Sequence, residues 1–218
     1  MPRLSREAVA GPDWQDPAGL KQGSPSWRDA RLGHVTASRI ADVMARSRSG
    51  HGGVRHAYLH ELIAERLTRR SAKTYTSAAM QWGLTMEPQA VAAYEAKAGV
   101  ETQAVGFLKH PKIAFAGASP DRLIGEDGLL EVKCPSAATH LNMLVTGEIA
   151  RKYTLQMQWQ MACSGRQWCD FLSFDPRQSP PYICFTVRIN RDDETIARLE
   201  DGVRSFLEEL EQLLGKGI

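Results

Sequence analysis

The sequence has few cysteines, no long hydrophobic run and no apolar segment near its first residue. Its four cysteines, Cys134, Cys163, Cys169 and Cys184, are scattered and form no CxxC pair. This spacing argues against a zinc knuckle and against a disulfide framework, so we expect reduced thiols in the core. No apolar run approaches the roughly 18 residues of a membrane span, and residues 1–14 lack the apolar segment of a signal peptide. We therefore expect a cytoplasmic protein with no membrane partner.

The composition is that of an ordinary globular chain. Of 218 residues, 43% are hydrophobic and 24% are charged, which argues against a wholly disordered or fibrous protein. Residues 1–26 contain four prolines and three glycines but few apolar residues, so we predict a loosely packed arm. The remaining residues, 27–218, are predicted to form one domain.

The net charge of +2 hides an asymmetry along the chain. From Asp192 onward there are eight acidic and three basic residues, which leaves a basic body with an excess of seven positive charges. A basic surface of this size is compatible with a nucleic-acid partner but does not establish one, since charge usually serves to solvate a surface.

Hydrophobic residues recur at helical spacing in several segments. Thr36 and Ser38 are candidate caps for the first of these helices. The last helix has apolar residues in a 3-4 alternation, which suits either a coiled-coil seam or packing on a sheet, and we favour packing. The predicted helices cover Ala37–Ala45, Ala57–Leu67, Ala79–Ala98, Thr139–Leu144, Arg151–Cys163 and Glu194–Leu214.

Short β-compatible segments lie among the later helices. Ile113–Ala118 and Gly128–Cys134 flank the turn sequence Gly125–Gly128, so we predict that they form a hairpin. Phe171–Phe174 and Tyr182–Ile189 are two further predicted strands, separated by a proline-rich turn. Helices and strands together predict an α/β domain.

Carboxylate and ammonium groups concentrate around the predicted hairpin. Glu131 and Lys133 share one face of a strand while Val132 points to the other, and closure of the hairpin brings Asp121 near that face. Two carboxylates beside an ammonium are costly to hold together unless a cation neutralises them, and oxygen ligands select Mg²⁺ or Mn²⁺. The pattern predicts a metal site for phosphodiester hydrolysis, with Lys133 orienting water or stabilising developing charge. The alternative is an exposed strand face with Asp121 as a turn residue.

A polar helix face follows the hairpin in sequence. Tyr153, Gln156 and Gln160 are spaced by three and four residues, so their side chains lie on one side of the helix. They either converge on the predicted site or form a polar helix flank.

Five short motifs follow one another in order. Trp27, Arg31, Gly33 and Thr36–Ser38 fit the pattern W-x-x-x-R-x-G-x-x-T-A-S. The other four are Trp82-Gly83 with Glu87, Ser119-Pro120-Asp121, Glu131-Val132-Lys133-Cys134-Pro135, and Tyr153 with Gln156-Met157-Gln158. In this order and spacing, roughly from Trp27 to Arg191, the chain resembles the phage lambda exonuclease or YqaJ-type viral recombinase family.

The resemblance implies a restriction-endonuclease-like PD-(D/E)xK core, in which helices flank a mixed β-sheet. It further implies Mg²⁺ as cofactor, with Mn²⁺ as a substitute and two ions per active site. Lys133 would be the catalytic lysine, and Gln156 would position the attacking water or a phosphate oxygen. The implied metal ligands are Asp121, Glu131, the carbonyl of Val132, and Glu87.

The resemblance also implies a pocket for the 5′-terminal phosphate of the degraded strand. Arg31, Ser38 and Ser119 match the family's pocket positions, and a guanidinium with small hydroxyls is suitable chemistry for phosphate. Arg48 is a further candidate. Met80 matches an apolar wedge against the terminal base pair, with a core methionine as the alternative.

The function implied is a 5′-to-3′ exonuclease that acts on linear double-stranded DNA ends. It would release 5′ mononucleotides, work as a homotrimeric ring and supply a 3′ strand to a single-strand annealing protein in phage or prophage recombination. A DNA-end-binding adaptor without chemistry is a second hypothesis, against which the complete set of site residues argues. A third is another nuclease on the same core, such as a site-specific endonuclease or a CRISPR-adaptation nuclease. The cysteines do not suit the iron–sulfur cluster of the latter.

Overall fold

A computed structural model describes residues 20–47, 50–71 and 77–216 of the chain. These residues form seven α-helices and ten strands. The helices are α1 (Pro25–Arg31), α2 (Ile40–Val43), α3 (Gly53–Thr68), α4 (Ala78–Ala98), α5 (Ala137–Thr146), α6 (Arg151–Ser164) and α7 (Asp193–Gly215). The strands are β1 (Val35–Thr36), β2 (Arg46–Ser47), β3 (Gly50–His51), β4 (Thr102–Gln103), β5 (Leu108–Lys109), β6 (Ala116–Ala118), β7 (Arg122–Ile124), β8 (Gly128–Lys133), β9 (Trp168–Phe174) and β10 (Cys184–Asn190).

The main sheet has five strands in the order β10-β9-β8-β7-β4. The β8–β9 pair is parallel and the other pairs are antiparallel, so the sheet is mixed. A second sheet has the order β1-β6-β5, and β2 pairs with β3. Helices flank the main sheet, which agrees with the predicted α/β class.

Side chains alternate between the two faces of the main sheet. On one face Leu130 and Val132 of β8 pack with Leu172 of β9 and with Val91 and Tyr94 of α4. On the other face lies the larger core, where Leu129 and Phe171 pack with residues of α6 and α7. Glu131 belongs to this second face, because successive residues of a strand point to opposite sides.

Most predicted helices are confirmed with small shifts of their ends. Ser77 and Ser136 cap α4 and α5 by accepting from the backbone N–H three residues on. The predicted helix Ala37–Ala45 is instead a 3₁₀ turn, Ala37–Arg39, followed by the short α2, and the side chain of Thr36 makes no capping hydrogen bond. The apolar stripe of α7 is buried in the core, which confirms packing on the domain.

The predicted hairpin partner of Gly128–Cys134 is wrong. The strand that pairs with β8 is β7, whereas Ala116–Ala118 pairs with β1 and β5 in the second sheet. Phe115 adopts a left-handed φ of 56°, which interrupts the extended segment predicted over Ile113–Ala118. The turn itself is confirmed, with Gly125 at a φ of 50°. Strand β9 also begins three residues before the predicted Phe171.

The arm predicted over residues 1–26 is described only from residue 20. Pro25 and Ser26 already form the first turn of α1, whose N-cap is Ser24. The side chain of Gln22 donates hydrogen bonds to the carbonyls of Val105 and Pro120. Residues 1–19, and the prediction for them, lie outside the described residues.

All four cysteines are free thiols, as predicted. Cys163 and Cys169 are buried, whereas Cys134 and Cys184 are only partly so. In the described ranges, no helix is long and apolar enough to cross a membrane.

Candidate active site

The β7–β8 hairpin brings Asp121 and Glu131 together. Asp121 immediately precedes β7, and the antiparallel register pairs Arg122 with Leu130, so Asp121 lies opposite Glu131. The carboxylate Oδ2 of Asp121 accepts a hydrogen bond of 2.6 Å from the backbone N–H of Val132. The two carboxylates, 10 positions apart in sequence, therefore become neighbours through strand pairing.

Glu131 is held by three donors although its side chain is only 1% exposed. Gln156 donates from Nε2 to Oε1 at 2.6 Å, and Gln160 donates from Nε2 to Oε2 at 2.5 Å. The ammonium of Lys133 pairs with Oε1 as well, and its Nζ lies 5.6 Å from the ring centre of Tyr153. The polar face of α6 thus converges on the hairpin, which excludes the polar-flank alternative for Gln156 and Gln160.

Three carboxylates of the site, those of Asp121, Glu131 and Glu87, lie close enough to affect one another's charge. Burial raises the pKa of Asp121 well above its usual value, and the charges of Glu131 and Glu87 raise it further against the opposing effect of Lys133. Burial lowers the pKa of Lys133, but the carboxylates of Glu131 and Asp121 outweigh this and raise it above the ordinary lysine value. Lys133 is therefore a firmly protonated cation that only partly compensates the acidic groups around it.

Glu87 approaches the hairpin from α4. Its side chain is 31% exposed, and Oε1 lies 3.4 Å from Nη1 of Arg122. The same guanidinium nitrogen donates to the backbone carbonyl of Asp121 at 2.6 Å. Arg122 was not predicted from the sequence, and its position directly after Asp121 is the signal that could have drawn attention to it.

The donor set of the site fits a hard divalent cation. Asp121 and Glu131 present carboxylate oxygens on neighbouring strands. Burial raises the pKa of Asp121 most, and the charge of Glu131 adds to this; a bound cation would oppose both effects. Among the described residues, no three His, Cys, Asp or Glu side chains form a compact metal-binding group. Glu87, paired with Arg122, is thus near the two carboxylates without completing such a group.

A second cluster lies just before the hairpin in sequence. Arg31, at the end of α1, donates from Nη1 to the hydroxyl of Ser119 at 3.0 Å, and Trp27 donates from Nε1 to the same oxygen at 3.1 Å. The guanidinium also stacks over Trp27, 4.2 Å from the ring centre. Burial lowers the pKa of Arg31 to about 10. Ser119 is two residues from Asp121, so this cluster adjoins the carboxylates.

The remaining predicted site residues have different surroundings. Ser38 is exposed in the 3₁₀ turn Ala37–Arg39, which follows directly on the pairing of Thr36 with Gly117. Met80 is 54% exposed in the first turn of α4, which rules out the core-methionine alternative. Arg48 lies outside the described residues.

The fold and the site define an α/β protein with a mixed sheet flanked by helices and an Asp–Glu–Lys cluster on a central hairpin. Residues 26–167 match the YqaJ-like viral recombinase domain, and the chain belongs to this family.

Solved structures extend the comparison beyond the matched domain. The alkaline exonuclease LHK-Exo from Laribacter hongkongensis is 46% identical, with a TM-score of 0.83 over 88% of this chain and 95% of that one. The structure of LHK-Exo in complex with dAMP gives a TM-score of 0.84 at the same identity and coverage. A phage-related exonuclease from Haemophilus somnus 129PT has 17% identity and a TM-score of 0.66, over 84% of this chain and 96% of that one, and shows the fold alone. No curated protein sequence matches this chain.

Proposed function

We propose that the protein is a Mg²⁺-dependent exonuclease that degrades one strand of linear double-stranded DNA from its 5′-phosphorylated end. It releases 5′ mononucleotides and leaves a 3′ single strand for recombination by strand annealing. The core is of the PD-(D/E)xK type, with Pro120-Asp121 before the hairpin and Glu131-Val132-Lys133 on it.

The observation that carries this proposal is the cluster of Asp121, Glu131 and Lys133, with Gln156 bonded to the same carboxylate. The likeness to LHK-Exo, an alkaline exonuclease at 46% identity, supports the same chemistry here. The dAMP bound to that protein is a 5′ mononucleotide, which is the class of product proposed. An adaptor that had lost its chemistry would have no need to retain so complete a site.

Asp121, Glu131 and the carbonyl of Val132 would hold the cation, with Glu87 completing the surroundings of a second ion. When bound, two Mg²⁺ or Mn²⁺ ions would supply Lewis acidity at the scissile phosphate and lower the pKa of the attacking water. Lys133 stays charged next to Glu131 and stabilises negative charge that develops on the phosphate. Gln156 has its amide at the same carboxylate and orients water or a phosphate oxygen.

The Arg31 cluster gives the enzyme its choice of end. Arg31 is partly buried and bonded to a hydroxyl, and no carboxylate lies within hydrogen-bonding distance of it in the described part of the chain. A dianionic 5′ phosphate supplies the missing partner through charge-assisted hydrogen bonds. Ser119 and Ser38 add hydroxyls to this pocket, and Met80 presents an exposed apolar side chain to the terminal base pair. Arg48, which lies outside the described residues, is proposed as a further phosphate contact.

The assembly proposed is a homotrimeric ring around the DNA, acting in the cytoplasm with a single-strand annealing protein of a phage or prophage. Light scattering on the purified protein measures the mass, and the trimer mass is the expected result. A monomer that digests DNA processively would contradict the ring.

The test of the proposed function is digestion of a linear duplex that carries separate labels at its 5′ and 3′ ends. With Mg²⁺ we expect the 5′ label to be released first, as a mononucleotide, and with a chelator we expect no release. Covalently closed circles are the control and should stay intact. Release of the 3′ label first contradicts the polarity, and cutting of the circles points to an endonuclease.

A further inference from the structure

A buried carboxylate at the end of β9 holds an arginine in one orientation. The side chain of Asp175 is 0% exposed and accepts from Nε and Nη2 of Arg177 at 2.7 and 3.0 Å. It also accepts from Nε2 of Gln178 and from the backbone N–H of Arg177, both at 3.1 Å. These bonds, above all those from Arg177, lower the pKa of Asp175 to about 2. The carboxylate therefore stays charged and keeps the guanidinium in place.

The guanidinium of Arg177 lies over Trp82 of α4. Its central carbon is 4.7 Å from the centre of the indole ring, which is within the range of a cation–π contact. The indole Nε1 is buried and has no hydrogen-bond partner among the described residues, although a buried tryptophan usually places its N–H against an acceptor. Packing therefore sets the position of Trp82, and the stack with Arg177 is the directional part of it. We call Asp175, Arg177 and Trp82 the α4 clamp.

The first turns of α4 need an anchor of their own. The buried residues of this helix, Ala90, Val91 and Tyr94, pack on the main sheet, and all of them follow Pro88. Pro88 has no N–H to donate to the carbonyl of Leu84, so the helix is weakened between its first turns and its anchored half. The α4 clamp contacts the part of the helix that lies before this break.

The clamp lies on the opposite side of α4 from the residues assigned to the site. Met80 and Glu87 are seven residues apart, which is close to two full turns, so they share one face of the helix. Trp82 points about 200° around the axis from Met80. Met80 and Leu84 are 54% and 62% exposed, so the face that they share is open to a ligand. Arg177 can therefore fix these turns without contacting DNA.

We propose that Arg177 is a positioning residue that fixes the first two turns of α4 through Trp82. These turns carry Met80 and Glu87, so Arg177 sets where both stand relative to the β7–β8 hairpin. The inference rests on the proposed function, in which Met80 meets the terminal base pair and Glu87 helps to hold a second ion. The clamp itself is a property of the fold, so it is measured without DNA, metal or catalysis.

Hydrogen exchange of backbone amides in the metal-free protein tests the clamp. Arg177→Ala should speed exchange in residues 81–87 at least about tenfold and leave residues 90–98 unchanged, because the sheet anchors the latter. Trp82→Leu breaks the same stack and leaves the Asp175–Arg177 pair intact, so it should give the same result. This second variant keeps the test decisive if the loss of Arg177, which leaves a buried carboxylate without its main partner, unfolds the protein. Unchanged exchange in a folded variant would overturn the proposal.

Fluorescence of 2-aminopurine in the terminal base pair of a duplex tests whether the clamp serves the site. This base brightens when it unstacks, and a chelator prevents digestion at saturating protein. The wild type should increase the signal, and Arg177→Ala and Trp82→Leu should each lose a large part of the increase while the affinity for duplex ends changes less than about twofold. A variant with both changes should lose no more than either single variant, since both act through one stack.

Three outcomes of this experiment would contradict the positioning role of Arg177. One is a full fluorescence increase in the single variants. Another is a pair of losses that add up in the double variant. The third is a fall in affinity together with a shallower salt dependence, which would make Arg177 a phosphate contact.

Arg188→Ala is the matched control. Arg188 also forms a bidentate pair with an aspartate, Asp170, and stacks on a tryptophan, Trp168, at 3.5 Å, but it lies on β10. Its removal should leave both the exchange of residues 81–87 and the fluorescence increase as in the wild type. Equal effects from Arg188→Ala would point to a general loss of stability and would overturn the proposal.

Failure of the clamp and failure of the proposed function give different results. If exchange in residues 81–87 is unchanged while digestion still releases the 5′ label first, the clamp is wrong and the exonuclease proposal stands. If the 3′ label is released first, the proposed function is wrong, and the exchange result, which needs no DNA, still decides on the clamp. Thermal melting of each variant checks that the compared proteins are folded.

Discussion

Two aspartates near the main sheet show opposite ways of placing a carboxylate in a protein. Asp170, on β9, accepts from the hydroxyl of Tyr94 at 2.7 Å and from two nitrogens of Arg188 at 2.7 and 2.9 Å. Asp121, before β7, accepts one backbone hydrogen bond and faces two other carboxylates, Glu131 and Glu87. Lys133 offsets the charges of these groups only in part. The charge of Asp170 is compensated by Arg188 within the fold, whereas the acidic groups around Asp121 would be stabilised by a further positive charge.

The same contrast holds for two arginines. Arg188 pairs with Asp170 and stacks on Trp168 at 3.5 Å, so its charge is compensated within the fold. Arg31 stacks on Trp27 but bonds a neutral hydroxyl. A partly buried charge without a hydrogen-bonded opposite partner costs stability, so its retention is typical of a site where a ligand supplies that partner. Asp121 and Arg31, whose charges are only partly compensated, both lie near Ser119 in the proposed site, since Arg31 donates to Ser119 and Asp121 is two residues from it.

The largest expected effect is on cleavage. Asp121→Ala, Glu131→Ala and Lys133→Ala should each lower the rate on a linear duplex at least about 10³-fold, since all three act on the cation, the water or the phosphate. Binding of duplex ends should change little, because the basic body supplies the backbone contacts. Asp170→Asn is the matched control and should keep most of the activity of the folded protein. Near-normal turnover by Lys133→Ala would contradict its proposed role.

A smaller effect is expected from Arg31. Wild-type protein should digest a 5′-phosphorylated duplex much faster than a 5′-hydroxyl one, and Arg31→Ala should slow the phosphorylated substrate roughly 10- to 100-fold, which narrows the gap. Arg31→Lys should restore only part of the rate, because an ammonium lacks the planar fork of the guanidinium. Digestion rates on the two substrates measure this. If both slow by the same factor, Arg31 is a general backbone contact or a fold residue.

In the free energy of unfolding, unlike the cleavage rate, substitution of Asp170 should have a larger effect than substitution of Asp121. Asp170→Asn weakens a charged hydrogen-bond network and should lower the free energy of unfolding by about 2 kcal/mol. Asp121→Asn removes one of several mutually repelling carboxylates and should cause no loss when divalent ions are absent. Urea unfolding with a chelator measures both variants. A loss for Asp121→Asn as large as that for Asp170→Asn would mean that Asp121 is structural.

The smallest expected effect is on the pH dependence of the free energy of unfolding. The pKa of Asp121 is raised in the folded state by burial and by Glu131, so the folded protein holds this proton more tightly than the unfolded chain does. Its contribution to stability is present at low pH and is lost as the pH rises from the ordinary value of 3.8 through the raised pKa. In urea unfolding of the metal-free protein, the free energy of unfolding should fall as the pH rises across this window, and the fall should be smaller in Asp121→Asn. An unchanged decline in the variant would assign the pH dependence to other groups.

The sequence predicted the elements of the site better than the strands that hold it. The spacing of Glu131 and Lys133 places both on one strand face, and the spacing of Gln156 and Gln160 places both on one helix face. Both spacings describe residues on one strand or one helix, so they hold in the folded protein. The hydrogen bonds of Gln156 and Gln160 to Glu131 agree with the predicted convergence. Strand β7, Arg122–Ile124, is too short to show a period, so the sequence predicts Ile113–Ala118 as the hairpin partner in its place.

Local sequence patterns do not predict the contacts or the conformation of three residues, Glu87, Arg122 and Phe115. Glu87 was singled out only through the family resemblance, since an acid on a helix is usually solvated. Arg122 donates to the carbonyl of the preceding Asp121, and its contact with Glu87 arises only where α4 meets the hairpin. The left-handed backbone of Phe115 depends on hydrogen bonds between β1 and β6, which are distant in sequence.

The sequence by itself determined the family, the α/β class and the identity of the carboxylates, lysine and amides of the proposed site. These follow from short-range spacing and from motifs, which are properties of the chain before it folds. Only the tertiary structure decided which charges are compensated, because Asp170 and Asp121 differ in their partners rather than in their own chemistry. Burial and pairing between distant segments set the pKa of a group and the ligand it needs, and neither is encoded in the neighbours of that residue along the chain.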